Sequence, residues 1–226
     1  MGSLFPFSFS LNWKDYLPFD LANTGQSGQR ELHDIVRLRD GTAVTLRAVR
    51  PDDGERIQNL VRGLSVESRY HRFFHPLHEL SPDMLARFLQ NDPAGAITLL
   101  AVVQQDGEEV AIAMAQYVSD PYPVRGEFAV VVDDAWQRSG LATRLIQTLI
   151  CVARAAGIAI LQGDVLADNE AMVRLMVNMG FVLDESDDGA YLLKASKVLE
   201  APEWKCSPLV VLAGEAKRRV EGRVGV

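Results

Sequence analysis

Two groups of residues, close together in the chain, have the types and spacing to do chemistry jointly. The first is Glu127, a lone carboxylate within the apolar run Arg125-Gly126-Glu127-Phe128-Ala129-Val130-Val131-Val132. As an extended strand, this run sends Glu127, Ala129, Val131 and Asp133 to one side and Phe128, Val130 and Val132 to the other. A carboxylate so placed can accept a proton, and apolar neighbours would raise its pKa toward neutrality by disfavouring the charged form. The second group, Gln137-Arg138-Ser139-Gly140-Leu141-Ala142-Thr143, opens a helix. The first N–H groups of a helix have no acceptor within it, and its dipole favours negative charge there. Gly140 and the small Ala142 let a ligand approach the backbone, so with Arg138 the turn suits a phosphate-bearing polyanion. The residues alone leave other readings open: a solvated or arginine-paired Glu127, and an ordinary helix start.

The elements that must position these groups follow from periodicity and turn residues. Short extended segments flank Arg39-Asp40-Gly41, and Pro51-Asp52-Asp53 starts a helix with Ile57, Leu60, Val61 and Leu64 on its apolar stripe. A second helix covers Val66 to Phe74, and Ser81-Pro82-Asp83 begins a third. Strands over Ile97–Val103 and Glu109–Val118 turn at Gln105-Asp106-Gly107-Glu108, and Asp120-Pro121-Tyr122-Pro123 breaks the chain before the Glu127 strand. The helix from Gly140 ends at Gly157; a strand over Ile158–Leu166, a helix capped by Asp168 or Asn169 and ending at Gly180, and a last hairpin follow. Several connected strands ahead of one glycine-marked helix predict an α+β chain whose sheet begins antiparallel.

Composition narrows the partners. A net charge of -7 and a pI near 5.1 argue against a general nucleic-acid binder and suit cationic substrates. No stretch is long and apolar enough for a membrane span or a secretion signal, so a cytoplasmic protein without membrane contact is expected. Cys151 and Cys206 share no spacing motif, which predicts separate reduced thiols, Cys151 as a small buried hydrophobe. His71, His75 and His78 lack a nearby fourth ligand, so no metal is expected. Residues 1–30, with Phe5, Phe7, Phe9, Trp13, Tyr16 and Phe19, read as an aromatic extension and linker able to pack on the domain or form a homodimer. Residues 31–197 form the domain, and 198–226 a tail ending in the basic Lys217-Arg218-Arg219.

Three stretches carry a resemblance to the GNAT superfamily of acyl-CoA-dependent N-acyltransferases. The run Gln137-Arg138-Ser139-Gly140-Leu141-Ala142 resembles its Q/R-x-x-G-x-G/A element; Thr45 to Asp53 looks like its opening strand and helix. Asn169-Glu170-Ala171-Met172 through Gly180-Phe181 resembles its late motif. The resemblance covers roughly 44–194. It implies an α/β/α layered fold with a mixed, largely antiparallel sheet splayed near its fourth and fifth strands, and acetyl-CoA as acyl donor. By the same resemblance the coenzyme touches Val130, Val131, Val132, Gln137, Arg138, Ser139, Gly140, Leu141, Ala142, Thr143, Asn169 and Met172, and Glu127 is general base. The segment Leu64 to Phe74 resembles, more narrowly, bacterial protein-lysine acetyltransferase domains, which implies a protein lysine as acceptor; a small amine, or a non-catalytic acyl-CoA sensor, are the alternatives. Met176 stands where many small-molecule members have a proton-donating tyrosine. Asp133-Asp134, Asp184-Glu185 and Asp187-Asp188 are read as solvated turns or as acidic groups steering a cationic acceptor.

Overall fold

The computed structural model describes residues 33–92, 95–119, 125–186, 189–200 and 206. The aromatic extension, Asp187-Asp188 and the basic end Lys217-Arg218-Arg219 lie outside these residues. The element order is β1 (His33–Arg37), β2 (Ala43–Ala48), α1 (Gly54–Gly63), α2 (Val66–Phe73), α3 (Pro82–Phe88), β3 (Asn91–Asp92), β4 (Ala96–Gln105), β5 (Glu108–Ser119) and β6 (Arg125–Val132), followed by a 3₁₀ turn (Asp134–Trp136), α4 (Leu141–Ala155), β7 (Ile160–Leu166), α5 (Glu170–Asn178), β8 (Val182–Ser186) and β9 (Gly189–Val198). The short β3 and the 3₁₀ turn have no periodic signal in the sequence; the rest match it to within a few residues.

All these strands join one sheet in the order β1-β2-β4-β5-β6-β7-β9-β8, with β3 on β4. Every pairing is antiparallel except β6 with β7. Turn chemistry explains the early hairpins: Gly41 at φ 88° and the Asp106-Gly107 pair at φ 51° and 85° adopt the left-handed conformation that tight turns need. The two sides of the sheet bury separate cores. Phe128 and Val132 of β6 pack with Leu145, Leu149 and Met176 of α4 and α5, whereas Val131 packs with Ile57, Leu60, Phe73 and Phe88 of α1, α2 and α3. The alternation read from the sequence of β6 therefore holds, and Glu127 shares the α1–α3 side with Val131. The architecture is the α+β, helix/sheet/helix arrangement that the resemblance implies.

A buried ionic cluster fixes α1 to the sheet. Arg47 of β2 donates to both carboxylate oxygens of Asp53, at 2.6 and 2.8 Å, and to Glu109 of β5 at 2.7 Å. Asp53 also accepts the Arg50 backbone N–H at 2.6 Å, and Arg50 donates to Glu109 at 2.9 Å. Burial alone would push the Arg47 guanidinium down, but its hydrogen bonds to Asp53 and Glu109 raise it, so it stays charged.

The cysteines overturn the expectation of two separate thiols. Cys151 of α4 and Cys206 form a disulfide across 55 residues, with their Cα atoms 5.8 Å apart. Cys151 is buried as expected. Its partner was hidden because the approach is tertiary: the Leu199 N–H donates to Ala159 O, returning the chain after β9 to the end of α4.

Candidate active site

The candidate site is a fork between two strands. Pairing of β6 with β7 runs through Arg125 with Ile160, Gly126 with Leu161 and Glu127 with Gln162. It stops there among the described residues, although β6 continues to Val132 and β7 to Leu166. Just past the last pair, a Cβ on Gly163 would lie 2.6 Å from Phe128 O, so only glycine permits this approach of the two backbones. The same contact shows that Phe128 turns its carbonyl toward β7. Peptide groups on one edge of a strand recur every second residue, so Val130 and Val132 present theirs to the widening gap. Val131 faces β5, opposite Met114.

At the far end of β6 the chain turns through two left-handed residues, Arg138 at φ 59° and Gly140 at φ 90°, before α4. Alternating conformations of this kind gather backbone N–H groups into an anion-binding concavity. The first intrahelical bond of α4 is Arg144 N–H to Gly140 O. The amides of Leu141, Ala142 and Thr143 thus lie in the helix's opening turn, and of these the Leu141 N–H reaches Ser139 Oγ only at 3.4 Å. Ser139 Oγ itself donates to Trp136 O at 2.6 Å, which pins the turn. Arg138 is exposed. The gap, the free amides and the exposed arginine fit a thioester whose long arm ends in a pyrophosphate. No described residues group into a metal-binding set.

Helix α2 is braced to this turn by side chains distant in sequence. Asp134 accepts from Ser65 N at 2.8 Å, Ser65 Oγ at 2.8 Å and Ser68 Oγ at 2.7 Å. Burial pushes the Asp134 carboxyl up, yet these donors carry it below the usual carboxylate range. Gln137 donates through Nε2 to Ser68 Oγ at 3.0 Å and to Val132 O at 3.4 Å, so its side-chain amide serves this brace. Asp133 caps the 3₁₀ turn through the Ala135 N–H. The acidic pair expected to steer a cation is thus largely engaged within the fold; the exposed Asp184 and Glu185 of β8 remain candidates for that role. On the other side of the fork, His71 Nε2 of α2 approaches Asp168 at 3.6 Å, directly before Asn169. His75 instead contacts Phe73 O through Nδ1.

Glu127 sits at the last paired position of the fork and is exposed, so the apolar enclosure expected to raise its pKa is not its setting. On α2, the half-buried Arg72 guanidinium lies 4.9 Å from the Phe73 ring centroid and 5.5 Å from that of Phe88. Asn169 caps α5, its Oδ1 accepting the Met172 N–H at 3.1 Å, which leaves its side-chain NH₂ as the group it has to offer the cleft. Met172 packs partly buried against the α4–α5 core. Met176 is fully buried there.

Residues 58–181 match the acetyltransferase (GNAT) family model. The chain belongs to the GNAT family. Among GNAT proteins it is 31% identical over 156 residues to an acetyltransferase of Pseudomonas aeruginosa, spanning 69% of this chain and 84% of that protein. It is 29% identical over 158 residues to the acetyltransferase Pat of Mycolicibacterium smegmatis, a match that takes in 70% of this chain and 46% of that protein. The crystal structure of the GNAT domain of S. lividans PAT superimposes with a TM-score of 0.67 at 29% identity, covering 74% of this chain and 97% of that domain. The chain is accordingly a GNAT acyl-CoA-dependent acetyltransferase.

Proposed function

We propose that the protein transfers an acetyl group from acetyl-CoA directly to the side-chain amine of a protein lysine, with Glu127 as general base. The observation that carries this reading is the position of Glu127: exposed, at the point where β6 and β7 part, on the side of the sheet walled by α2 and α3. The likeness of Leu64 to Phe74 to protein-lysine acetyltransferase domains supports a protein acceptor. A lysine ammonium near pKa 10 cannot attack until it loses a proton. Glu127 removes that proton, directly or through a water, and the amine nitrogen then bonds to the thioester carbonyl carbon. The attacking nitrogen gives its second proton to solvent, the C–S bond breaks with its electron pair leaving on sulfur, and the thiolate takes a proton from solvent, because Met176 has none to give. A backbone N–H on the open edge of β6 stabilises the carbonyl oxygen as it gains charge. Val130, Val132 and the amides from Arg138 to Thr143 hold the arm and the pyrophosphate.

Intact-mass analysis of candidate protein and amine acceptors with acetyl-CoA tests this. The expected result is acetylation of protein lysine, with Glu127→Gln slowing turnover by about 10²–10⁴-fold while coenzyme binding is retained. Turnover with free amines and none with protein would reassign the acceptor. Coenzyme binding without any transfer would make the chain a sensor.

A further inference from the structure

The sheet is covered unevenly on the side that Glu127 faces. Among the described residues, the core on that side joins α1, α2 and α3 to the sheet only as far as Val131 of β6, and takes in no residue of β7, β8 or β9. Leu161 and Val165 of β7, Ala195 of β9 and Leu183 of β8 belong to the opposite core, so by alternation Gln162, Ser196 and Val182 face the same way as Glu127. The register sets these residues in one row: Glu127 pairs with Gln162, Gln162 with Ser196 and Ser196 with Val182. Neighbouring strands lie about 4.8 Å apart, which brings Gln162 beside Glu127 at the last paired position before β6 and β7 part. Gln162 is half-buried, and its carboxamide makes no hydrogen bond to another described residue. An amide so placed keeps both a carbonyl acceptor and an NH₂ donor for a ligand. The charged residues that β7, β9 and β8 carry on this face, Asp164, Lys194 and Asp184, form a separate row two residues along.

We propose that Gln162 is an acceptor-binding residue: its side-chain carbonyl accepts an N–H of the incoming lysine amine and holds the nitrogen against Glu127 at the mouth of the fork. This rests on Glu127 being the base and a lysine being the acceptor. The ammonium carries three N–H groups. Glu127 removes one proton, and a second N–H donated to Gln162 Oε1 limits the movement of the nitrogen while its lone pair turns to the thioester carbon. A neutral amide binds the cation without competing for its proton, which a second carboxylate in the same place would do.

The test is steady-state kinetics with poly-L-lysine as acceptor, for the full chain and for Gln162→Leu and Gln162→Glu, with acetyl-CoA Kd and Tm measured alongside. Gln162→Leu should raise the acceptor KM by about tenfold or more, the worth of a hydrogen bond to a charged group, and leave acetyl-CoA Kd and Tm unchanged. Gln162→Glu supplies an oxygen acceptor again and should restore KM toward that of the unaltered chain. It should also move the acid limb of kcat/KM to higher pH, because a carboxylate beside Glu127 disfavours ionisation of both. An acceptor KM unmoved in Gln162→Leu, or rising only as Tm falls, would overturn the role. An acid limb that stays in place in Gln162→Glu would do the same, and it decides the question if Gln162→Leu does not fold. Glu127→Gln separates the two levels: turnover retained there fails the base assignment, whereas turnover lost there with KM unmoved in Gln162→Leu removes only the role of Gln162. Poly-L-lysine left unmodified by the unaltered chain fails the lysine reading and, with it, Gln162 as a lysine-binding residue.

Discussion

Two arginines on the same side of the sheet, Arg47 and Arg72, show two ways a protein encloses a guanidinium. Arg47 is almost wholly buried and meets a matched set of acceptors, two oxygens of Asp53 and one of Glu109. Arg72 is half-buried and lies against two rings. The consequence appears in their proton affinity, raised at Arg47 and lowered to about 10 at Arg72. The bidentate pair with Asp53 fixes one geometry for Arg47, although its buried Nε has no hydrogen-bond partner among the described residues. A cation over π faces is held by fewer directed bonds.

Breaking the buried cluster around Arg47 should give the largest stability effect. Asp53→Asn leaves the Arg47 charge buried with fewer acceptors and is expected to cost about 3–5 kcal/mol by denaturant titration. Replacing both Arg47 and Asp53 with apolar residues of similar volume should recover much of that loss. The same carboxylate gives a pH signature. Burial raises the Asp53 pKa, but bonds from Arg47 and the Arg50 N–H bring it net below 3.8. Its stabilisation is therefore present above that value and lost as pH falls through the lower folded pKa. Asp53→Asn should flatten the stability curve in that acid window.

An intermediate effect is expected at the fork. Gly163→Ala forces a Cβ into Phe128 O and should destabilise by about 1–3 kcal/mol, as overpacking does. Because the strain falls where the strands part, coenzyme affinity should change with it, which calorimetry would show; Asp53→Asn should leave that affinity alone. The smallest effect is expected from the brace. Ser68→Ala removes one donor to Asp134 and should cost about 0.5–1.5 kcal/mol, read as a small fall in Tm.

Much of the scaffold was legible because its signals are local. The alternation in β6, the stripe of α1, the glycines at 41, 107 and 140 and the cap at Asn169 each follow from neighbours in sequence, and the structure places each of them accordingly. What escaped depends on tertiary approach. Asp134 reads as a solvated or steering carboxylate until α2 arrives carrying Ser65 and Ser68, 69 and 66 residues away. Gly163 sits mid-strand with no turn to mark it, and its reason is the backbone of another strand. Cys151 and Cys206 meet only because the chain returns after β9. Arg72 comes over the Phe88 ring only because α2 packs against α3.

The edge of β6 beyond Glu127, where no pairing with β7 is seen among the described residues, has a corollary for mutagenesis. Recognition by peptide groups does not depend on which side chain each residue carries, provided the strand keeps its course. Substitutions at Val130 or Val132 that preserve extended backbone and bulk should therefore pass almost unnoticed by a ligand seated there, and an alanine scan would under-report that surface.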